Sequence, residues 1–224
     1  MVLGMRRIAV FAKWPEPGRV KTRLSPALPA SLACDLYRAM LEDALAVAGA
    51  GADEAFAYWA DSRGIGEAPP GKFQNRFQRG LDLGARLEHA FAELLLADHD
   101  QALIIGADCP TLDAAILREA YAALEQHALV LGPTRDGGYY LVGLGRIAPP
   151  LFRDIAWSTE RVLEQTLERA RAMGLAVKTL VELGDLDTAE DLVRWLKELA
   201  GRRELPALRS VEALRAMKLL PERK

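Results

Sequence analysis

The chain has 224 residues, half of them hydrophobic and 27% charged, the balance of an ordinary globular protein at a length that suits one α/β domain. A formal net charge of −2 excludes the broad basic footprint of a nucleic-acid binder, and no apolar run approaches the roughly 20 residues that span a bilayer. Cys34 and Cys109 match no metal-ligand spacing, and the apolar run of the basic N-terminus is interrupted by Lys13 with no small-residue cleavage site after it, so a reduced, cytoplasmic enzyme is expected.

Short β-like runs alternate with amphipathic segments along the chain. Arg7 to Lys13 reads as a buried strand, and Pro29 to Ala50 as a helix, with Leu32, Leu36, Met40, Leu41, Leu45 and Val47 at helical spacing. Glu54 to Ala60 reads as a second strand. Asp61 to Gly80, rich in Gly, Pro and polar groups, reads as an excursion over the strand ends. Leu81 to Ala97 is helical, Ala102 to Asp108 is the clearest buried strand, and a helix follows from about Asp113 to Gln126. Two strands, "ALVLGPT" and "GYYLVGL", precede a helix over Thr159 to Met173, a strand over Leu175 to Val181 and a helix over Ala189 to Leu199. Residues 201–224 are expected to form a C-terminal helical extension of a single domain covering residues 1–224. Strands joined by helical crossovers predict a mostly parallel sheet covered on both faces, with ligands beyond the carboxyl ends of the strands.

The residues with chemistry fall at those ends. "PEPGRVKTRL" follows the first strand; Gly18 frees its backbone, Arg19, Lys21 and Arg23 supply cations, and Thr22 and Ser25 add hydroxyls, a set suited to an anion. The spacing is not that of a P-loop, and a solvated basic turn is the plain alternative. In "IIGADCPTL", Asp108 ends a buried strand, where a carboxylate is costly unless paired or bound to a cation such as Mg²⁺ or Mn²⁺; Thr111 and Asp113 are better placed to cap the next helix. "GPTRDGGYYLVGL" presents Asp136 beside Gly137 and Gly138, which let backbone approach a ligand, although an Asp-Gly hairpin turn explains the same letters. In "GDLDTAEDL", Asp187 and Thr188 read as a helix N-terminus, and Asp185 or Asp187 could join Asp108 as a second metal ligand. Cys109 reads as a small buried thiol, and Trp14, Trp157, Tyr139 and Tyr140 receive no functional role.

"FAKWPEPGRVKTRLSP", "IGADCPTL", "GPTRDGGYYLVGL", "FRDIAWST" and "DLDTAEDL", in this order, resemble a bacterial transferase family of the glycosyltransferase-A superfamily, often labelled as associated with radical-SAM and selenium-domain proteins. More distantly, the chain is similar to phospholactate guanylyltransferases and molybdenum-cofactor nucleotidyltransferases. The resemblance implies a nucleotide-diphospho-sugar transferase fold with Asp108 and Asp187 as metal ligands. It implies nucleotide and phosphate contacts from Lys13, Gly18, Arg19, Lys21, Thr22, Arg23, Gly137 and Gly138, and catalytic roles for Asp136 and Lys21. The sequence departs from the family patterns in having Ala-Asp-Cys in place of Asp-x-Asp and Pro-Glu-Pro-Gly-Arg in place of G-x-G-x-R. The expected activity is transfer of a sugar from a nucleotide-diphospho-sugar to a small-molecule acceptor with Mg²⁺ or Mn²⁺. The alternative is nucleotidyl transfer from an NTP to a phosphorylated acceptor, and a nucleotide-sensing module without turnover is a third reading. No nucleic-acid partner and no membrane insertion are expected.

Overall fold

The computed structural model describes residues 4–25, 27–61, 63 and 73–221. Among them, β1 (Arg6–Ala12), α1 (Ala30–Gly51), β2 (Glu54–Trp59), β3 (Phe73–Phe77), α2 (Leu83–Leu94), β4 (Gln101–Gly106) and α3 (Ala114–Leu124) follow in chain order. The second half adds β5 (Leu129–Pro133), β6 (Tyr139–Leu144), α4 (Val162–Ala172), β7 (Val177–Thr179), α5 (Ala189–Ala200) and α6 (Arg209–Ala216). The strands form one sheet in the order β3-β2-β1-β4-β6-β5-β7. Only β6 runs against its neighbours, β4 and β5, so the expected α/β architecture with a mostly parallel sheet is what the chain adopts.

Alternation along the strands builds the two faces. Ile8, Val10, Leu103 and Ile105 point to one side, where Tyr37, Leu41 and Leu45 of α1 and Leu117 and Tyr121 of α3 cover them. Ala9, Ala102 and Ile104 point to the other, under Leu87, Phe91 and Leu94 of α2 and Ala170 of α4. A third apolar cluster sits outside this sandwich, where Leu36 and Met40 of α1 meet Leu192, Trp195 and Leu199 of α5 and Val211 and Leu214 of α6. α6 has no side-chain cap of its own; instead Asp43, buried in α1, accepts from the Arg209 amide at 2.8 Å, the Ser210 amide at 2.9 Å and the Ser210 hydroxyl at 2.5 Å. The carboxylate thereby satisfies N-terminal amides that its own helix never could.

The segment expected to be an excursion over the strand ends differs. Residues 62 and 64–72 lie outside the described residues, but Phe73–Phe77 is strand β3, paired in parallel with β2. Its sequence, FQNRF, is short and mixed and its burial alternates between partial and none, as suits an edge strand, with Phe73 packed against the core. α2 begins later than the apolar pattern suggests, because the Asp82 side chain caps it by accepting from the Ala85 amide at 2.8 Å. β7 keeps only three residues of the expected seven.

Charge is spent differently at the two ends of the sheet. At the amino end, buried Arg7 pairs with Glu54 at 2.6 Å and Asp100 at 2.5 Å and donates to the Leu94 carbonyl at 2.8 Å. Asp100 in turn accepts from the amides of Met5, Leu96 and Ala97. Every strand but β6 ends at the opposite edge, and the candidate site lies there.

Candidate active site at the carboxyl edge

β1 hands over to the first loop under a clamp from α1: the Lys13 amide donates to the Tyr37 hydroxyl at 2.9 Å, and that hydroxyl donates to the Lys13 carbonyl at 3.2 Å. Gly18 has φ +77 with open space where a Cβ would stand, so its glycine is a conformational requirement of the turn. Lys21 adopts the left-handed region at φ 50 and ψ 37, uncommon for a residue with a side chain. A short 3₁₀ turn, Thr22–Leu24, follows and is anchored by buried Leu24.

The Lys21 side chain runs inward. Its Nζ lies 2.5 Å from Asp108 Oδ1 and 2.7 Å from Asp187 Oδ1, and Arg23 Nη1 stands 3.7 Å from Asp187 Oδ2. The Lys21 side chain is 3% exposed, against 49% for Asp108 and 39% for Asp187. Burial works against the Lys21 ammonium, but the charges of Asp108 and Asp187 outweigh it and hold its pKa above the ordinary lysine value.

Three loops bring these groups together. Asp108 follows β4, and its carboxylate is not used for capping: Asp113 caps α3, accepting from the Ala115 and Ile116 amides at 2.8 and 3.0 Å. Asp187 arrives because the chain after β7 continues beside β5, with the Leu183 amide donating to the Pro133 carbonyl at 3.1 Å and the Leu186 amide to the Asp108 carbonyl at 2.9 Å. Thr188 then starts α5 in a capping box with Asp191, the helix N-terminus read from "DLDTAEDL".

The third loop is the β5–β6 hairpin. Oδ1 of Asp136 accepts from the Thr134 hydroxyl at 2.6 Å and the Gly138 amide at 3.1 Å, while the Gly137 amide closes the turn on the Thr134 carbonyl at 3.1 Å. Both glycines answer to this turn. A Cβ on Gly137, at φ +86, would stand 2.0 Å from the Glu160 carbonyl oxygen, and one on Gly138 would meet Thr134 Oγ1 at 3.0 Å. At both positions the protein itself fills the space a side chain would need. Asp136 itself is exposed to solvent on this loop.

Of the two candidates Asp185 and Asp187, it is Asp187 that pairs with Lys21. Burial, then the charges of Asp136, Asp191 and Asp187, push the Asp185 pKa up to about 6. Burial and the neighbouring charges of Asp108 and Asp185 also raise the Cys109 thiol well above its ordinary value, which leaves it protonated and unsuited to nucleophilic work.

Lys13 and Arg19 open into a pocket of about 300 Å³ lined also by Trp14, Ala60, Asp61 and Arg63. Arg63 bridges Glu16 and Asp61, tying the first loop to the end of β2. Trp14 and Arg63 had no functional reading from the sequence; an aromatic after a strand and an arginine in a polar stretch carry no pattern that singles them out. Exposed Thr22 and Arg23 lie on the same loop.

Among the described residues, no group of three or more His, Cys, Asp or Glu side chains is arranged to hold a metal ion by itself. Asp108 and Asp187 nonetheless fit a hard divalent cation: both offer accessible carboxylate oxygens and already converge on one positive charge. Mg²⁺ and Mn²⁺ suit sites of one or two carboxylates in which a substrate's phosphates supply further oxygens.

A family model described as "Uncharacterized protein conserved in bacteria (DUF2064)" matches residues 35–159, which is 125 of the 224 residues. Among curated proteins none matches the chain. The solved structures similar to it include a protein from Desulfovibrio desulfuricans G20 provisionally named a nucleotide-diphospho-sugar transferase, with 27% identity and a TM-score of 0.86, covering 97% of this chain and 96% of that one. A nucleotidyl transferase from Methanothermobacter thermautotroptrophicus shows 18% identity and a TM-score of 0.55 over 85% of this chain and 95% of its own. Rv0371C of Mycobacterium tuberculosis H37Rv, in complex with manganese, shows 16% identity and a TM-score of 0.52 over 88% of this chain and 100% of its own. The fold is that of nucleotide-diphospho-sugar transferases and nucleotidyltransferases.

Proposed function

The chain belongs to this bacterial family, DUF2064, and we propose that it is a metal-dependent transferase moving a sugar from a nucleotide-diphospho-sugar to a small-molecule acceptor. The observation that carries the reading is the convergence of Lys21, Asp108 and Asp187 at the carboxyl edge, beside a pocket edged by Lys13, Arg19 and Arg63. The name of the Desulfovibrio relative and the manganese bound by Rv0371C support it.

In this reading the nucleotide lies in the Lys13 pocket with its diphosphate directed toward Lys21. Asp108 and Asp187 would hold Mg²⁺ or Mn²⁺, which when bound supplies positive charge against the departing diphosphate. The Lys21 ammonium, held between the two carboxylates, adds a fixed cation that needs no reorganisation, and Arg19 and Arg23 supply guanidiniums at the loop surface. An acceptor hydroxyl attacks the anomeric carbon, the bond from that carbon to the diphosphate oxygen breaks, and Asp136 takes the hydroxyl proton. Thr134 and Gly138 fix the Asp136 carboxylate for that task. The dense cationic loop also favours the second reading, nucleotidyl transfer, in which an acceptor phosphate attacks the α-phosphorus of an NTP and pyrophosphate leaves.

A thermal-shift panel of nucleotide-sugars and NTPs, each with and without Mg²⁺ or Mn²⁺, followed by product analysis on any ligand that binds, separates the two. Metal-dependent stabilisation by one nucleotide-sugar, lost in Asp108→Asn, is the expected result. A preference for an NTP would replace glycosyl by nucleotidyl transfer, and binding that ignores both metal and Asp108 would remove the metal site.

A further inference from the structure

A second cavity, of about 210 Å³, opens beside the loop that carries Asp108. Pro110 and Thr111, two and three residues after Asp108, border it, as do Asp185 and Leu186, the two residues before Asp187. Its outer wall comes from α5 and from Arg135, the neighbour of Asp136. In the sheet order, the basic Lys13 pocket sits over the ends of β1 and β2, and this cavity over the ends of β4, β5 and β7. The two pockets therefore lie on the same edge of the sheet, each lined by residues near the loops that carry Lys21, Asp108 and Asp187.

Their charges differ in sign. The Lys13 pocket carries Lys13, Arg19 and Arg63 against Asp61, three positive charges to one negative. The second cavity carries Arg135, Arg194 and Arg202 against Glu182, Asp185, Asp191 and Glu198, three positive to four negative, a formal balance of −1. Two of its guanidiniums are already engaged: Arg135 lies 3.4 Å from Glu198 and 4.0 Å from Glu182, and Arg194 lies 2.9 Å from Asp191. That negative balance disfavours a phosphate relative to a neutral ligand. The wall offers what hydroxyls need, since each hydroxyl both donates to a carboxylate and accepts from a guanidinium. At about 210 Å³ the cavity is of a size for one small molecule.

We propose that this cavity is the acceptor subsite and that it takes a small hydroxyl-rich molecule bearing no phosphate. The acceptor role rests on the transfer reaction proposed above; the preference for an uncharged polyol rests on the cavity alone. It also bears on that reaction, because nucleotidyl transfer needs a phosphorylated acceptor and this wall disfavours one.

The test uses saturation-transfer NMR on the full chain, with glucose, mannose and inositol as probes beside their phosphate monoesters. A neutral probe should bind saturably and about tenfold more tightly than its monoester, equivalent to about 1.4 kcal/mol. The double variant Glu182→Gln/Glu198→Gln turns the balance from −1 to +1 at two well-exposed positions and should abolish that preference. A wild-type preference for monoesters, a double variant with unchanged selectivity, or silence from every probe at tens of millimolar overturns the proposal. Nucleotide binding is measured on the same samples. A wild-type protein that binds sugar but no nucleotide overturns the transfer reading, and with it the acceptor role, while leaving the polyol site in place.

Discussion

Replacing Lys21, at φ 50, by methionine removes the shared cation while keeping an unbranched side chain only one atom shorter, so the change reports mainly the ion pairs. Deleting one partner of a fully buried pair costs about 3–5 kcal/mol, because the other charge is left desolvated. Here the stranded charges, Asp108 and Asp187, are 49% and 39% exposed, so water compensates much of the loss and about 1–2 kcal/mol remains. For a chain of this length each kcal/mol moves the melting temperature by roughly 2–4 °C, so a drop of about 2–8 °C is expected in metal-free buffer. The Lys21 pKa is raised in the folded state, so this stability is fully present below the ordinary lysine pKa and lost only as pH rises through the folded value; neutral pH therefore reads the full effect. Added Mn²⁺ should restore more stability to Lys21→Met than it adds to the parent, since two carboxylates without their ammonium form a better cation site. At a hundred times its dissociation constant the ion contributes about 2.7 kcal/mol, readable by calorimetry without any substrate. An unchanged melting temperature with an unchanged manganese response would refute the reasoning: the carboxylates would then not share one cation site.

Asp185 is raised to about 6 from 3.8, so between those values the folded state binds more protons than the unfolded one, and stability falls as pH rises through that window. Asp185→Asn should therefore raise the melting temperature near neutral pH and not below the window; an equal gain at both would exclude a charge effect. Gly18→Ala should cost about 1–2 kcal/mol for its left-handed backbone, whereas Gly137→Ala should cost at least about 1 kcal/mol more, because its Cβ would also collide with the Glu160 carbonyl. Equal melting temperatures for the two would contradict the close approach at Gly137. Asp43→Ala strands the donors of Arg209 and Ser210 and should make α6 susceptible to protease before the rest unfolds, which limited proteolysis with mass mapping would reveal. Digestion identical to the parent would mean that apolar packing alone holds α6.

Much of this protein was legible along the chain because the relevant physics is local. Apolar periodicity located β1, β4 and α1, and the capping residues Asp113 and Thr188 marked the starts of α3 and α5. The ordering of strands and helices also located the carboxyl edge, where Lys21, Asp108, Asp136 and Asp187 gather. β3 escaped because it is a five-residue edge strand with three polar residues inside a Gly- and Pro-rich stretch, and its pairing with β2 is not written in FQNRF.

What only the tertiary structure decided is which way each charge faces and what it faces. Lys21 and Asp187 are 166 positions apart, and nothing near either states that the ammonium lies between Asp187 and Asp108. That a Cβ at Gly137 would collide with the Glu160 carbonyl, brought from another segment, is likewise written nowhere in the hairpin's own letters. The opposite charges of the two pockets arise from residues scattered between Lys13 and Arg202. Helices and buried strands follow largely from neighbours in sequence, whereas the edge strand, ion pairing and pocket charge follow from neighbours in space.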